Sequence, residues 1–240
     1  MAEFTTTEIS GIASAIKWMR FPLGSEGDSG FINCACTDDL ENGNVLDLND
    51  EFYGVGEGDN KLMRTLASAK PGSGHDCFLK AITVHYEVEA PHYWWNQVQR
   101  YHFNDIASST SKMHSITKGD IGDKCSKWVS SYTTEMVNGL ISFYNGHKNI
   151  GPEGYEDFNE ELTLYCDDYN IQTPSTPSEL FECILDNTPL GYQLKAGMVT
   201  NYLQLKTMYA QRKNHKLSHW NTDFVEWVHS LPMHHLITGE

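Results

Sequence analysis

The clearest pattern in the chain is the alternation between residues 81 and 90. Ile82, Val84, Tyr86, Val88 and Ala90 alternate with Ala81, Thr83, His85, Glu87 and Glu89. A period of two predicts a strand with one buried and one wet face. Pro91 ends it. Proline is favoured at the first position of a helix, so an aromatic helix is expected over His92–Tyr101. Elsewhere the spacing is helical. Ile9, Ile12, Ala13, Ile16 and Met19 predict a helix over residues 7–20. Lys61–Lys70 reads as a short helix before the turn Pro71-Gly72-Ser73-Gly74. Trp128, Val129, Tyr132, Met136, Val137, Leu140 and Ile141 mark a helix within residues 125–145, and 159–169 is another. Thr176 or Ser178 caps a helix running to Leu185. A long helical segment is expected from Tyr192 to about Leu217. A last helix, Ser218–Ser230, carries Trp220, Phe224, Trp227 and Val228 on one face. Asn104–Lys112 reads as a polar loop. Residues 21–60 and 146–158 read as loops, the former with a short strand around Phe31–Cys36.

This order implies an α+β fold with a helical majority in the second half. The chain reads as one domain over 1–240. Residues 1–60 are N-terminal loops, 61–120 a strand-helix region, and 121–240 mostly helical. A strand with few partners in its own chain points to oligomerisation. With 240 residues, 40% of them hydrophobic, the chain has material for a real core. Its net charge of −15 argues against broad binding to nucleic acid or anionic membrane. A local basic pocket for one small phosphorylated ligand is compatible with it. Apolar runs fall short of the roughly 18 residues a membrane helix needs, and the start lacks the layout of a secretion signal. A cytoplasmic protein is the expectation.

The six cysteines, Cys34, Cys36, Cys77, Cys125, Cys166 and Cys183, form no CxxC pair, so free thiols are expected rather than a structural zinc site. Eleven histidines include His215 and His219 at i,i+4 and the pair His234-His235, but there is no HExxH. They read as surface or stacking groups, with no metal. Cys77 follows His75 closely, yet no third partner is evident, and a packed thiol is the simpler reading.

Two regions carry candidate chemistry. Arg100 ends the aromatic helix, with Gln97 one turn earlier. An amide beside a guanidinium can read a pyrimidine edge or an isoalloxazine carbonyl. Arg100 can equally snorkel from a helix packed through Trp94, Trp95 and Val98. Ser108, Ser109, Thr110, Ser111 and Lys112 can hydrogen-bond a phosphate or form an ordinary polar loop. Asn201 and Arg212 lie eleven positions apart on the expected long helix, about three turns, and so project from similar faces; they can equally be a surface Asn and one of several basic groups, with Lys213 and Lys216, at a helix C-terminus.

Together these residues resemble the flavin-dependent thymidylate synthases, the ThyX family. That family has a histidine, a strand ending in Ala-Pro, and an aromatic helix leading into the signature RHRxxSxNExSxRY. His75, the strand 81–90, Ala90-Pro91, Tyr93, Gln97 and Arg100 fall in that order at matching spacing. Pro189-Leu190, Asn201 and Arg212 match a second family segment. The resemblance covers roughly residues 60–120 and 178–231. Within the signature only Arg100 is identical. Tyr101 stands for His, His102 for Arg, Asp105 for Ser, Ala107 for Asn, Ser108 for Glu, Thr110 for Ser, Lys112 for Arg and Met113 for Tyr. Leu185 stands where the family has a phosphate-binding Arg, and His215 lies one position before the family's His.

The resemblance implies a ThyX-like fold with an antiparallel sheet, and a homotetramer binding FAD at subunit interfaces. It implies one-carbon transfer from methylenetetrahydrofolate to C5 of a deoxypyrimidine monophosphate, dUMP to dTMP, with NADPH as reductant. Arg100 and Arg212 would hold nucleotide and flavin as the catalytic pair. His75, Cys77, Arg100, His102, Asn201 and His215 would line the flavin. Gln97, Ser108, Ser109, Thr110, Lys112 and Arg212 would hold the nucleotide. The altered signature also permits dCMP as substrate or a hydroxymethyl product. A non-catalytic nucleotide- or flavin-binding protein of the same fold is the alternative of another class, and an unrelated helical interaction protein a third.

Overall fold

The protein is described by a computed structural model covering residues 1–28, 55–70, 72–148 and 155–240. The expected strand at Phe31–Cys36, with Cys34 and Cys36, lies outside these residues. In chain order the elements are β1 (Glu3–Ser10), α1 (Ile12–Trp18), α2 (Glu57–Ala67), β2 (Thr83–Pro91), α3 (His92–Val98), β3 (Asn104–Ser109) and α4 (Lys112–Ser115). Then follow α5 (Ser131–His147), α6 (Tyr155–Asp168), α7 (Pro177–Asn187), β4 (Gln193–Asn201), α8 (Tyr202–Arg212), a π-helix at His219–Phe224, α9 (Val225–Ser230) and α10 (His235–Thr238). They fall into two compact units. The first holds Met1–Ala90, Trp94–Ser109 and Lys195–Glu240; the second holds Pro91–Tyr93 and Thr110–Leu194.

The first unit is built on a four-stranded sheet in the order β1-β2-β4-β3. β1 and β2 pair antiparallel, as do β3 and β4. Where β4 passes into α8, the Tyr202 N–H donates to the Ile82 carbonyl at 3.0 Å. The alternation in β2 is real: Val84, Tyr86, Val88 and Ala90 are buried, and the residues between them are half-exposed. On the buried face sit the aromatic rings. Phe4 stacks on Trp227 at 5.1 Å, Tyr86 meets Trp227 at 4.6 Å, and Trp94 stacks on Trp220 at 4.9 Å. Rings of this size each bury roughly 150–250 Å² and dominate the core. The Trp94 indole nitrogen is buried without a partner among the described residues, whereas two other polar ends are satisfied. Tyr86 donates to Asn104 at 2.8 Å and Trp227 to Thr6 at 3.0 Å. Burial pushes the Tyr86 phenol above its usual range.

Three expectations are corrected. Residues 7–10 belong to β1, and the helix begins only at Ile12. Gly11 breaks the run with φ 83°, where an added Cβ would stand 1.9 Å from the Ala81 oxygen. The segment from Tyr192 is not one helix, because residues 193–201 form β4 with Ala196, Met198 and Thr200 facing inward. The polar run from Asn104 forms the edge strand β3, whose side chains after Asn104 are all exposed.

The second unit is helical. Its core gathers Ile116, Ile121, Val137, Leu140, Leu162, Leu180 and Ile184. Thr176 caps α7 by accepting from the Glu179 N–H at 3.2 Å, with Pro177 in the first turn. α5 and α6 approach closely at Gly139, where the Tyr165 hydroxyl reaches the Met136 carbonyl at 3.0 Å. No helix among the described residues is long and apolar enough to cross a membrane. None of their His, Cys, Asp and Glu side chains gather in threes able to hold a metal ion.

Candidate functional site

Within the first unit, α3, α8 and the π-helix converge on one guanidinium. Arg212, the last residue of α8, donates through Nε to the Tyr101 hydroxyl at 2.7 Å and through Nη1 to Gln97 Oε1 at 3.3 Å. Its carbon Cζ lies 4.5 Å from the centre of the Trp220 ring and 5.5 Å from that of Tyr101. Cation–π contact of this kind holds an arginine in one plane. The Trp220 indole N–H donates to the same Gln97 oxygen at 2.9 Å. Tyr101 passes its own proton to Gln211 Oε1 at 3.1 Å. Gln97 and Arg212, 115 positions apart in the chain, are thus a contacting pair, and both keep partial exposure.

His215 flanks this cluster, its ring centre 6.5 Å from that of Trp220. Burial, with Arg212 and Lys216 nearby, holds its imidazole below the ordinary range, so it is neutral at neutral pH. Nδ1 accepts from the Leu217 N–H at 3.2 Å. The ring proton therefore sits on Nε2, which makes that nitrogen a donor.

A cavity of about 520 Å³ adjoins the cluster through Gln211. Its lining includes Asp76, Cys77, Lys80, Lys206 and Thr207. Asp76 is almost wholly buried and paired with Lys206 at 2.6 Å, and Lys206 also donates to the Ala67 carbonyl at 2.6 Å. This pair ties the turn carrying His75 and Cys77 to α8. Cys77 is exposed in the cavity wall, and His75 is exposed on the turn before it.

The other expected residues stand apart from the cluster. Arg100 and His102 follow α3, are exposed, and have no hydrogen bond or ion pair among the described residues. Ser108 and Ser109 are exposed on the edge strand β3. Asn201 does not share a helix face with Arg212. It is the N-cap of α8, accepting from the Gln204 N–H at 2.9 Å, and Arg212 is at the far end, about 16 Å along the axis. In the second unit Thr110 is exposed and Lys112 is half-buried. The Lys112 ammonium donates to the Leu185 carbonyl at 3.3 Å. Burial draws its pKa down, opposed by the Asp186 charge. Sequence reasoning passed over Tyr101, Gln211 and Trp220 as contributors. The available signal was chemical: a buried Trp or Tyr needs a partner for its polar end, and Gln97 is a half-buried amide.

No family model matches the sequence, and no curated protein matches it. Solved structures do match. Two crystal structures of the flavin-dependent thymidylate synthase ThyX from Helicobacter pylori, each with FAD and dUMP, align with TM-scores of 0.58 at 12% identity. They cover 100% and 99% of this chain and 98% of the other chain in each case. A UMP/dUMP methylase, PolB, from Streptomyces cacaoi bound with 5-Br dUMP aligns with a TM-score of 0.49 at 14% identity, over 100% of this chain and 95% of that one. The fold is ThyX-like: a mixed structure of helices around a four-stranded antiparallel sheet.

Proposed function

We propose that the chain is a flavin-dependent enzyme that transfers a one-carbon unit to C5 of a deoxypyrimidine monophosphate, nominally dUMP to dTMP. The observation that carries this reading is the Gln97–Arg212 pair, fixed by Tyr101 and Trp220, in a ThyX-like fold that extends over the whole chain. Gln97 and Arg212 take the pyrimidine ring: both offer N–H donors, and the guanidinium supplies positive charge where the ring gains electron density. Ser108 and Ser109 offer hydroxyls to the phosphate.

The donor set fits FAD as the cofactor. Arg100 and His102 are exposed N–H donors with no partner among the described residues. His215 presents an Nε2–H. The cavity at Cys77 and Gln211 is largely apolar but carries lysines, which suits a flat ring with anionic appendages. Asn201, spent on its helix cap, retains an amide NH2 for the same purpose. A reduced flavin supplies the electrons for the one-carbon transfer, with methylenetetrahydrofolate as donor and NADPH as reductant. The protein's own work is positioning and electrostatics. A homotetrameric, cytoplasmic enzyme belongs to this proposal.

One observation favours a second reading. Two of the three nitrogens of Arg212 are already hydrogen-bonded inside the protein, which also suits a non-catalytic nucleotide-binding protein. Titration with FAD, followed by an assay of hydrogen exchange at C5 of dUMP, separates the proposals. Saturable binding of added FAD without that exchange supports the second reading, and FAD binding with it supports the enzyme. Protein that stays colourless and binds no FAD rejects the enzyme.

A further inference from the structure

Gln97 is held by two groups that can only donate. The Trp220 indole N–H reaches its Oε1 at 2.9 Å, and Arg212 Nη1 reaches the same oxygen at 3.3 Å. Neither an indole nitrogen nor a guanidinium has an acceptor. Turning the amide over would set its NH2 against two N–H groups and lose both bonds. The amide therefore has one allowed orientation, with Nε2 and its two hydrogens left for a ligand.

Trp220 cannot yield to the amide. It is fully buried and stacks on Trp94 at 4.9 Å with the planes 27° apart. It stands in the π-helix His219–Phe224, a rare turn that re-aims side chains and recurs at functional sites. Tyr101 restrains the guanidinium in the same way. Its oxygen accepts from Nε at 2.7 Å while its proton goes to Gln211. What Gln97, Arg212 and His215 have left to offer is donors alone.

Resting on the pyrimidine reading above, we infer that Trp220 is a positioning residue that sets the polarity of the site. It makes Gln97 a pure donor, so the ring is taken with a carbonyl oxygen toward Gln97 and an exocyclic amino group there is rejected. Both rings carry oxygen at position 2, so the selection requires ring position 4 to face Gln97, where uracil carries oxygen and cytosine an amino group. The class selected is the uracil nucleotide. A donor facing a donor in a half-buried site loses both hydrogen bonds to water without replacement, which is why such sites discriminate strongly.

The test is calorimetric binding of dUMP and dCMP, in the presence of FAD, to the full chain and two variants. The wild type should bind dUMP at least roughly tenfold more tightly, the discrimination of one specific hydrogen-bonded contact. Trp220→Phe keeps a ring but removes the shorter of the two bonds that fix the amide, leaving it to Arg212 Nη1 alone at 3.3 Å, and the ratio should fall severalfold toward parity. Gln97→Glu puts an oxygen where the NH2 was and should move the preference toward dCMP. Gln97 is half-exposed, so this variant decides the matter if Trp220→Phe does not fold. A wild type that binds dUMP with the same ratio as both folded variants, or that shows no preference for it, overturns the lock and leaves the nucleotide site standing. A wild type that binds neither nucleotide overturns the site reading, and this inference with it.

Discussion

The ammonium of Lys206 on α8 lies 2.6 Å from the Asp76 carboxylate, in the turn before Cys77. The Asp76 side chain is 6% exposed. Removing only the lysine strands a buried carboxylate, which costs about 3–5 kcal/mol. Lys206→Met should therefore lower the urea midpoint sharply. The double variant Lys206→Met with Asp76→Asn should recover much of the loss, since no charge is left unpaired. A single variant as stable as the wild type would show that the pair does not hold the turn.

In the second unit the contact to probe is Gly139 against Tyr165. A Cβ on Gly139 would stand 1.9 Å from the tyrosine oxygen and 2.2 Å from its ring carbon. Tyr165 cannot retreat without losing its bonds to the Glu135 and Met136 carbonyls. Gly139→Ala should cost about 1–3 kcal/mol as an overpacking change, against the usual gain from alanine in a helix. Tyr165→Phe in the same background should restore part of it. Denaturant unfolding reads both; a stabilised Gly139→Ala contradicts the close approach.

These contacts also show what was legible beforehand and what was not. β2 was readable because one face is buried on a continuous aromatic core and the other is wet, so burial wrote a period of two into the sequence. The Thr176 cap was readable because cap chemistry is local. β1 was misread because Ile9, Ile12 and Ile16 fall at helix spacing across a break, and the break depends on Gly11 meeting the Ala81 backbone, a contact with no local signature. β4 was misread because its inward residues, Ala196, Met198 and Thr200, are small, flexible or polar. β3 is an edge strand with exposed side chains, which leaves nothing for hydrophobic periodicity to report. At the site, Gln97 and Arg212 were visible through the resemblance. Tyr101 and Trp220 were not, because their role is to hold those two, and a tryptophan on an apolar helix face reads as core until its N–H is given a partner.

Stability should fall in mildly acidic solution. Burial, with Arg64 and His234 nearby, lowers the His235 imidazole to about 4 from 6.5. Above pH 6.5 the residue is neutral in both folded and unfolded chains. As the pH falls from 6.5 toward 4, the unfolded chain takes up a proton that the folded chain refuses, and stability is lost across that window. Burial shifts His234 in the same direction. Thermal melts at stepped pH should show the decline, and His235→Phe should flatten it. A wild-type profile flat between pH 7 and 4.5 would contradict the assignment.

Arg212 is central to ligand affinity. Arg212→Ala should weaken nucleotide binding by about 1.5–3 kcal/mol, the usual worth of hydrogen bonds to a charged group. Arg212→Lys should fall between, keeping charge but not the planar fork that spans Tyr101 and Gln97. Calorimetric titration with dUMP checks both. Unchanged affinity in Arg212→Ala would remove this residue from the site.

The most direct measurement is of the product. The protein is incubated with FAD, a reductant, methylenetetrahydrofolate and each deoxypyrimidine monophosphate in turn, and the nucleotide is identified by mass. The proposed function expects a one-carbon addition at C5 of dUMP that requires the flavin and disappears in Arg212→Ala. A nucleotide recovered unchanged, with no exchange of hydrogen at C5 in protein that binds FAD, would contradict it.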